Sequence, residues 1–324
     1  MLGDTPQEAA ERAAEIRRAQ VSPQNAILHI EAIWGRDLSA YDPDGPLPAV
    51  DPEPDNLISK GNTLFRGDRA AKARRWREIA EARGLSIREL FDEAADAVEV
   101  TRRLWDSWED DAEIRDAATG RFVDRDKLHH IDFEGAHFSV RGPSITPRPP
   151  QGQPLVTALA HATVPYEFAA RGADVVFVTP HSRAETVTIL AEVRTAEAAV
   201  QREGAPLKTF ADLVVFLDET PGEAAVGKAR LDELDGAPLT SDAEIFTGTP
   251  EELADLLLDW RNAGLDGFRL RPGRLPHDLT AITTGLVPEL RRRGAFRAEY
   301  EADTLRGLLG LPRPENRYAE TTAP

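Results

Sequence analysis

The second half of this 324-residue sequence predicts an α/β fold built on a parallel sheet. Short apolar runs recur there, and each is followed by a segment with helical patterning. Strands joined by crossover helices must lie parallel, because the helix carries the chain back to the starting edge of the sheet. The number of repeats favours a (β/α)8 barrel, the TIM barrel, over the alternative of a doubly wound sheet.

Four strands can be placed from their apolar runs. They cover residues 155–159, 175–178, 213–217 and 267–270. Helices are predicted near residues 164–171, 182–201 and 222–234, and from Thr249 to about Ala263. The last helix begins with Thr249-Pro250-Glu251-Glu252, which places a capping threonine before a proline and a glutamate three positions later.

The first 90 residues are predicted to be helical segments and loop. A capped helix begins at Thr5-Pro6-Gln7-Glu8, and a charged helix ends at Gly84. Between them lie a second helix over residues 24–34 and a loop from Gly35 to about Pro54. A further helical pattern then runs from Leu85 to Trp105, and residues 106–153 contain mostly turn-forming residues.

Composition excludes several classes of function. The formal net charge of −17 disfavours nucleic acid and anionic lipid as partners, because both require a basic surface. The absence of cysteine excludes disulfides, thiolate metal sites and iron–sulfur clusters. No apolar run approaches the roughly 20 residues that span a bilayer. The amphipathic N-terminus differs from a signal peptide, so we expect a cytoplasmic protein.

Local motifs give little evidence for a particular chemistry. The Gly-x-Gly-x-x-Gly, Walker, Gly-x-Ser-x-Gly and His-Glu-x-x-His patterns are all absent. A loop carries His129, His130, Asp132 and His137, for which packing is favoured over a metal site, and no metal is predicted. The run Asp106, Glu109, Asp110 and Asp111 is interpreted as a solvated acidic helix end instead of an acid–base pair.

The strongest functional evidence is a series of longer sequence words in a fixed order. Among them are Leu104-Trp105-Asp106-Ser107-Trp108, His129-His130-Ile131-Asp132-Phe133-Glu134-Gly135, Arg148-Pro149-Pro150-Gln151-Gly152, Phe168-Ala169-Ala170-Arg171-Gly172-Ala173-Asp174 and Thr247-Gly248-Thr249-Pro250. In these words the chain resembles the nitrilotriacetate and dibenzothiophene-sulfone monooxygenase branch of the luciferase-like flavin monooxygenases.

The resemblance implies a TIM-barrel flavoprotein that oxygenates a small organic substrate with O2 and reduced FMN. It also implies two kinds of partner, an NAD(P)H:flavin reductase that supplies the reduced FMN and further copies of the chain in a homo-oligomer. Members of the family begin with four barrel strands that cannot be placed here. We therefore expect an incomplete barrel, with residues 1–90 resembling the C-terminal region of a related member and residues 91–324 forming the C-terminal part of a barrel.

The resemblance also suggests where the cofactor binds, at the turn that follows the strand at 155–159. Family members carry Ala-Gly-Ser-Ser-x-x-Gly there and hold the flavin phosphate at a helix N-terminus. The aligned residues expected at the cofactor here are Ala160, His161, Ala162 and Thr163. His181, which follows the strand at 175–178, is a further candidate, and His277 is a weaker one. No catalytic residue is predicted.

Two alternatives to the FMN monooxygenase remain open. One is a non-catalytic barrel remnant that keeps the sequence of the family without its activity, and the missing strands favour it. The other is a member of the family that uses a deazaflavin in place of FMN.

Overall fold

The computed structural model describes residue 31, residues 37–42, residues 77, 80 and 81, and residues 83–319. The chain divides into two compact units, Met1–Gly67 and Asp68–Pro324. In the first unit Leu38 is buried in a turn that a hydrogen bond from Tyr41 N to Leu38 O closes at 2.9 Å. The helices predicted over residues 5–20 and 24–34 lie outside the described residues, apart from Glu31, which is helical.

In the second unit a long helix, α1, covers Ile87–Asp106. Ser86 begins it with a capping box, in which the Ser86 side chain accepts from Glu89 N and the Glu89 carboxylate accepts from Ser86 N. This confirms the helix predicted from Leu85 to Trp105. The boundary expected after residue 90 falls in the first turns of this uninterrupted helix, and the division of the chain at that point stays a prediction.

Two short hairpins follow α1 in the region predicted to be mostly turn. Strands β1 (Glu113–Asp116) and β2 (Arg121–Val123) form the first hairpin, and β3 (Phe133–Glu134) and β4 (Ser139–Val140) form the second. A 3-10 turn at Arg125–Lys127 lies between them.

A parallel sheet with crossover helices forms the centre of this unit. Its strands are β5 (Thr157–Leu159), β6 (Val175–Val178), β7 (Lys208–Leu217), β8 (Glu244–Gly248) and β9 (Gly267–Pro272). The helices between them are α2 (Thr163–Gly172), α3 (Arg183–Ala199), α4 (Pro221–Asp235) and α5 (Pro250–Asn262). The α/β class and all four predicted strands are confirmed, and β8 is a strand that the sequence analysis missed.

The long strand β7 contacts three other strands. β6 pairs with residues 208–211, β8 with residues 213–217, and β9 with residues 210–215. A strand has only two edges, and β9 overlaps both of the other partners. β6 and β8 therefore share one edge of β7, one after the other, and the start of β8 lies next to the end of β6. The described strands form an open sheet and do not close into a barrel.

The order of the strands determines which face each helix covers. Side chains of α2, α3 and α5 pack with Val215 and Leu217 in the main core. Lys228 of α4 instead lies 6.0 Å from the ring centre of Phe216, which alternation places on the opposite face of β7. A right-handed crossover that runs back to the edge of β6 requires this position for α4.

Short helices complete the chain after β9. They are α6 (His277–Ala281), a π-helical turn at Ile282–Leu286, α7 (Val287–Arg292) and α8 (Leu305–Leu308). Ion pairs attach the C-terminal segment to the rest of the unit, since Arg306 contacts Asp174 of the segment before β6 at 3.1 Å. Among the described helices, none is both long and apolar enough to cross a membrane.

Candidate functional site

The turn between β5 and α2 contains four of the five residues predicted at the cofactor. Ala160 is buried and its amide donates to Phe177 O of the neighbouring strand at 3.0 Å, which joins the turn to the sheet. Ala162 and Thr163 are exposed at the start of α2. The turn is thus attached to the sheet at Ala160 and accessible to solvent at Ala162 and Thr163.

The N-terminus of α2 has no side-chain cap. Ala162 is the N-cap residue with an extended backbone, and it offers no side-chain acceptor to the helix. By contrast, Ser182, Thr220 and Thr249 cap the helices α3, α4 and α5. The first helical amides point along the axis at the positive end of the helix dipole, so an anion can take the place of the missing cap.

Both ring nitrogens of His161 face protein partners. The distance from Nδ1 to Thr179 Oγ1 is 3.0 Å, and the distance from Nε2 to Asp242 Oδ2 is 3.1 Å. The second contact is at ion-pair distance but is bent away from ideal hydrogen-bond geometry. An ionised carboxylate only accepts, so a neutral ring that donates towards Asp242 from Nε2 would accept from the Thr179 hydroxyl at Nδ1. His161 therefore connects its turn to β6 and to the segment before β8.

His181, the fifth predicted residue, makes a similar connection at the end of β6. Its Nδ1 lies 2.8 Å from Glu244 Oε2, and its Nε2 lies 3.1 Å from Asp242 O. A main-chain carbonyl and an ionised carboxylate both accept only, so each ring nitrogen of His181 faces an acceptor. The structure thus brings His161 and His181 together around Asp242.

Asp242 and Glu244 are site residues that the sequence analysis missed. They lie at the start of β8, and in a barrel with strands in sequential order the start of one strand is far from the end of another. The arrangement of β6 and β8 on one edge of β7 removes that separation. A correct assignment of the strand Glu244–Gly248 would have been the only signal available for finding them.

A row of alternating charges continues from Asp242 across the sheet. Arg271 Nη2 lies 3.5 Å from Asp242 Oδ1, and Arg271 Nε lies 3.8 Å from Asp212 Oδ2. Arg269 forms a two-point ion pair with Asp212, and its guanidinium lies 4.2 Å from the ring centre of Phe177. Arginines of β9 therefore balance the negative charges of the buried Asp212 and Asp242.

An apolar surface lies beside the turn on the same face as Arg269. Leu159 is paired with Phe177 in the sheet, and its side chain is 40% exposed. Phe177 in turn packs edge-on against Phe210, with ring centres 6.1 Å apart. A flat apolar group can lie on this surface while an anion is held at the start of α2.

His277, the weaker candidate, belongs to a different cluster at the end of β7. Its Nε2 lies 3.1 Å from Leu217 O and 3.3 Å from Asp218 Oδ2. Arg274 contacts Asp218 as well, at 3.2 Å, and hydrogen bonds to Asp278 raise the pKa of Arg274. Nothing in this cluster contacts His161 or His181.

The acidic residues at the end of α1 are structural. Asp106 is fully buried against Arg148, so the predicted solvated acidic face is wrong for this residue. Asp110 pairs with Arg148 and Arg313, which lower its pKa, and Lys127 lowers the pKa of Asp111. The carboxylates after α1 thus pair with basic residues of the following turns and, at Arg313, of the C-terminal segment.

The histidines of the loop after α1 make local contacts. His129 lies 2.8 Å from Glu109 and stacks on Tyr318, and His130 Nδ1 lies 2.8 Å from Gly142 O. Within the part of the chain that the structure describes, no group of three or more potential metal ligands comes together.

A large groove of about 880 Å³ lies at the other end of the sheet, where β6 and β7 begin. Its arginines already have partners: Arg102 donates to Gly172 O and pairs with Asp174 at 2.9 Å, and Arg202 donates to Ala170 O. The groove is wide but lacks converging groups that are open to a ligand. The turn before α2, with its exposed and uncapped helix N-terminus, is therefore the better candidate.

Comparisons with known proteins show what the chain is similar to. The model of the luciferase-like monooxygenase family matches residues 72–230, which include the turn and α2. Nitrilotriacetate monooxygenase component A of Aminobacter aminovorans is 32% identical over 71% of this chain and 64% of its own length. Dibenzothiophene-sulfone monooxygenase of Rhodococcus erythropolis is 28% identical over 73% of this chain and 67% of its own length.

Among solved structures, a long-chain alkane monooxygenase is similar with a TM-score of 0.60 and 27% identity. The match covers 70% of this chain and 61% of that protein. The chain thus spans about two thirds of the length of the relatives it matches, or slightly less.

Proposed function

Because this chain carries a luciferase-like monooxygenase domain over residues 72–230, we propose that it binds FMN and is a flavin-dependent monooxygenase acting on a small organic substrate. The observation that carries this proposal is the uncapped N-terminus of α2, directly after β5. In the family that the sequence resembles, the corresponding turn holds the flavin phosphate, which supports this position. Two independent lines, one from geometry and one from sequence, therefore indicate the same residues.

The residues present fit a phosphate group. Thr163 and Val164 are the first two helical positions, and their amides have no intrahelical acceptor. Pro165 occupies the third position and has no amide hydrogen, so it adds no further unsatisfied donor. The exposed Thr163 hydroxyl adds a donor beside these amides.

The predicted roles of the two histidines change in this proposal. We expected His161 and His181 to contact the cofactor, but their ring nitrogens face Thr179, Asp242 and Glu244. Their contribution is to hold the turn and the end of β6, while main-chain amides bind the phosphate. Leu159 and Phe177 supply the apolar surface for the ring system.

When bound, reduced FMN would react with O2 and so carry the redox chemistry. The protein would provide binding, orientation and exclusion of water. We further propose that an NAD(P)H:flavin reductase supplies the reduced flavin, because the similar nitrilotriacetate enzyme is named component A of its system. A homo-oligomer in the cytoplasm is part of the same proposal.

A second candidate is a flavin-binding member of the family without monooxygenase turnover. The open sheet favours it, because the described strands leave one side of the apolar surface uncovered. A site of this kind excludes water poorly, and exclusion of water is what protects reactive intermediates from side reactions.

Titration of the purified chain with FMN tests the proposal. Flavin fluorescence is followed together with the elution volume of the protein. Saturable quenching with about one flavin per chain is expected. The absence of quenching up to high micromolar FMN would contradict the proposal, and saturable binding without substrate oxidation would select the second candidate.

A further inference from the structure

Asp242 lies where three parts of the candidate site meet. Its carboxylate is 1% exposed, and its Oδ2 lies 3.1 Å from His161 Nε2 while its Oδ1 lies 3.5 Å from Arg271 Nη2. Its main-chain oxygen lies 3.1 Å from His181 Nε2. Asp242, in the segment before β8, thus contacts residues just after β5 and β6 and a residue near the end of β9.

A carboxylate in this position costs free energy unless it is paired, and its partners here are groups of the candidate site. The contact with His161 determines the orientation of the imidazole, since Thr179 holds the opposite ring nitrogen. His161 is the residue immediately before Ala162, the N-cap of α2. The contacts that hold this ring therefore also restrain the chain where it enters α2.

We propose that Asp242 is a positioning residue for the flavin phosphate: it holds His161 in one tautomer and thereby fixes the open N-terminus of α2. This inference rests on the proposed function, because it assigns a role within the same site. It extends that function to a residue on a different strand, brought to the site by the arrangement of β6 and β8 on one edge of β7.

The first test needs no flavin. Nitrogen-15 NMR of the imidazole rings reports which ring nitrogen carries the proton, and loss of one signal set in His161→Gln assigns the ring of His161. The wild-type chain should show a single tautomer protonated at Nε2. Asp242→Ala should give a mixture of tautomers, whereas Asp242→Asn, which keeps an acceptor oxygen, should retain the wild-type tautomer in part.

The second test is the affinity for FMN. Asp242→Ala should weaken binding by about tenfold, the order of effect expected when a buried polar group loses its partner, and Asp242→Asn should weaken it less. Thr179→Val removes the other partner of His161 with little change in shape, so it should also weaken binding. The Thr179→Val variant therefore still tests the role of the His161 contacts if Asp242→Ala does not fold.

Asp106→Asn is the matched control, because it removes another fully buried carboxylate that lies on α1 and contacts Arg148. It should leave the FMN affinity and the His161 tautomer unchanged. If the wild-type chain binds FMN and the Asp242 and Thr179 variants bind it equally well, the role of Asp242 is refuted while the proposed function stands. If the wild-type chain does not bind FMN, the proposed function fails, and an unchanged tautomer in Asp242→Ala would refute the positioning role as well.

Discussion

Arg148 Nε lies 2.9 Å from Asp106 Oδ1 in an ion pair that solvent does not reach, with the two side chains 1% and 0% exposed. Asp106 ends α1, and Arg148 belongs to the proline-rich loop before β5. The same guanidinium donates to Pro314 O at 2.8 Å, so one side chain joins α1, the loop and the C-terminal segment.

Replacement of Arg148 by methionine is therefore expected to destabilise the fold. Asp106 would remain buried without its main cation, a change that costs about 3 kcal/mol of the free energy of unfolding. Urea unfolding followed by circular dichroism measures this difference. Arg115→Gln is the control, since Arg115 pairs with Glu113 at the surface with 74% of its side chain exposed. A similar loss of stability in this control would contradict the special role of the buried Asp106–Arg148 pair.

The capping box of α5 gives a smaller, local effect. The Thr249 side chain accepts from Glu252 N, and the Glu252 carboxylate accepts from Thr249 N at 2.9 Å. Thr249→Ala removes the first of these bonds and should lower the free energy of unfolding by about 1 kcal/mol. Thr188→Ala in the exposed interior of α3 should be neutral or slightly stabilising, because alanine has the higher helix propensity. Equal losses in the two variants would show that the cap has no special role.

The carboxyl group of Glu289 should titrate far below its ordinary range. Hydrogen bonds from Arg292 and then from Arg293 lower its pKa from 4.5 to about 2. The folded state therefore favours the ionised form, and this stabilisation is complete above pH 4.5 and is lost as the pH falls towards 2. Carbon-13 NMR of the carboxyl group gives the midpoint directly.

The double variant Arg292→Gln, Arg293→Gln is the control for this titration. Without the two guanidinium groups, the midpoint of Glu289 should return towards the ordinary value of 4.5. A wild-type midpoint that already lies near this ordinary value would contradict the ion-pair geometry.

A carboxylate introduced at the start of α2 should stabilise the helix and at the same time weaken the binding of FMN. Ala162 is exposed and has the extended backbone of an N-cap residue, so Ala162→Asp places a good cap there and should stabilise the helix by about 1 kcal/mol. The same charge occupies the position proposed for the phosphate and repels it. FMN binding should weaken by about tenfold or more, measured by fluorescence titration.

Riboflavin, which lacks the phosphate, is the matched ligand for this variant. Its affinity should be weak for the wild-type chain and nearly unchanged by Ala162→Asp. A parallel loss of affinity for FMN and riboflavin would show that the substitution acts on the fold instead of on phosphate binding.

Local patterns in the sequence were sufficient to predict most of the elements of the second unit. The capping box at Thr249 and the apolar runs at 175–178 and 213–217 depend on neighbouring residues alone, and the structure confirms them. The strand Glu244–Gly248 was missed because its five residues include a glutamate, a threonine and a glycine, and four of them are only partly buried. It lacks the continuous apolar run of a buried parallel strand.

Failure to predict the strand Glu244–Gly248 also explains why the prediction of the site is incomplete. His161 and His181 follow the ends of predicted strands, so their position near one another could be expected from the sequence. Their common partner Asp242 could not, because its place depends on β8 pairing with the second half of β7 while β6 pairs with the first half. Pairing between strands that are distant in sequence cannot be predicted from a local sequence pattern.

The central claim is that the N-terminus of α2 binds the phosphate of FMN. Amide NMR of the nitrogen-15-labelled chain tests it most directly, with FMN and riboflavin added separately. FMN should shift the amide signals of Ala162, Thr163 and Val164 in a saturable way, and riboflavin should leave these three signals nearly unchanged. Shifts confined to other parts of the chain, or equal shifts of these amides with both flavins, would contradict it.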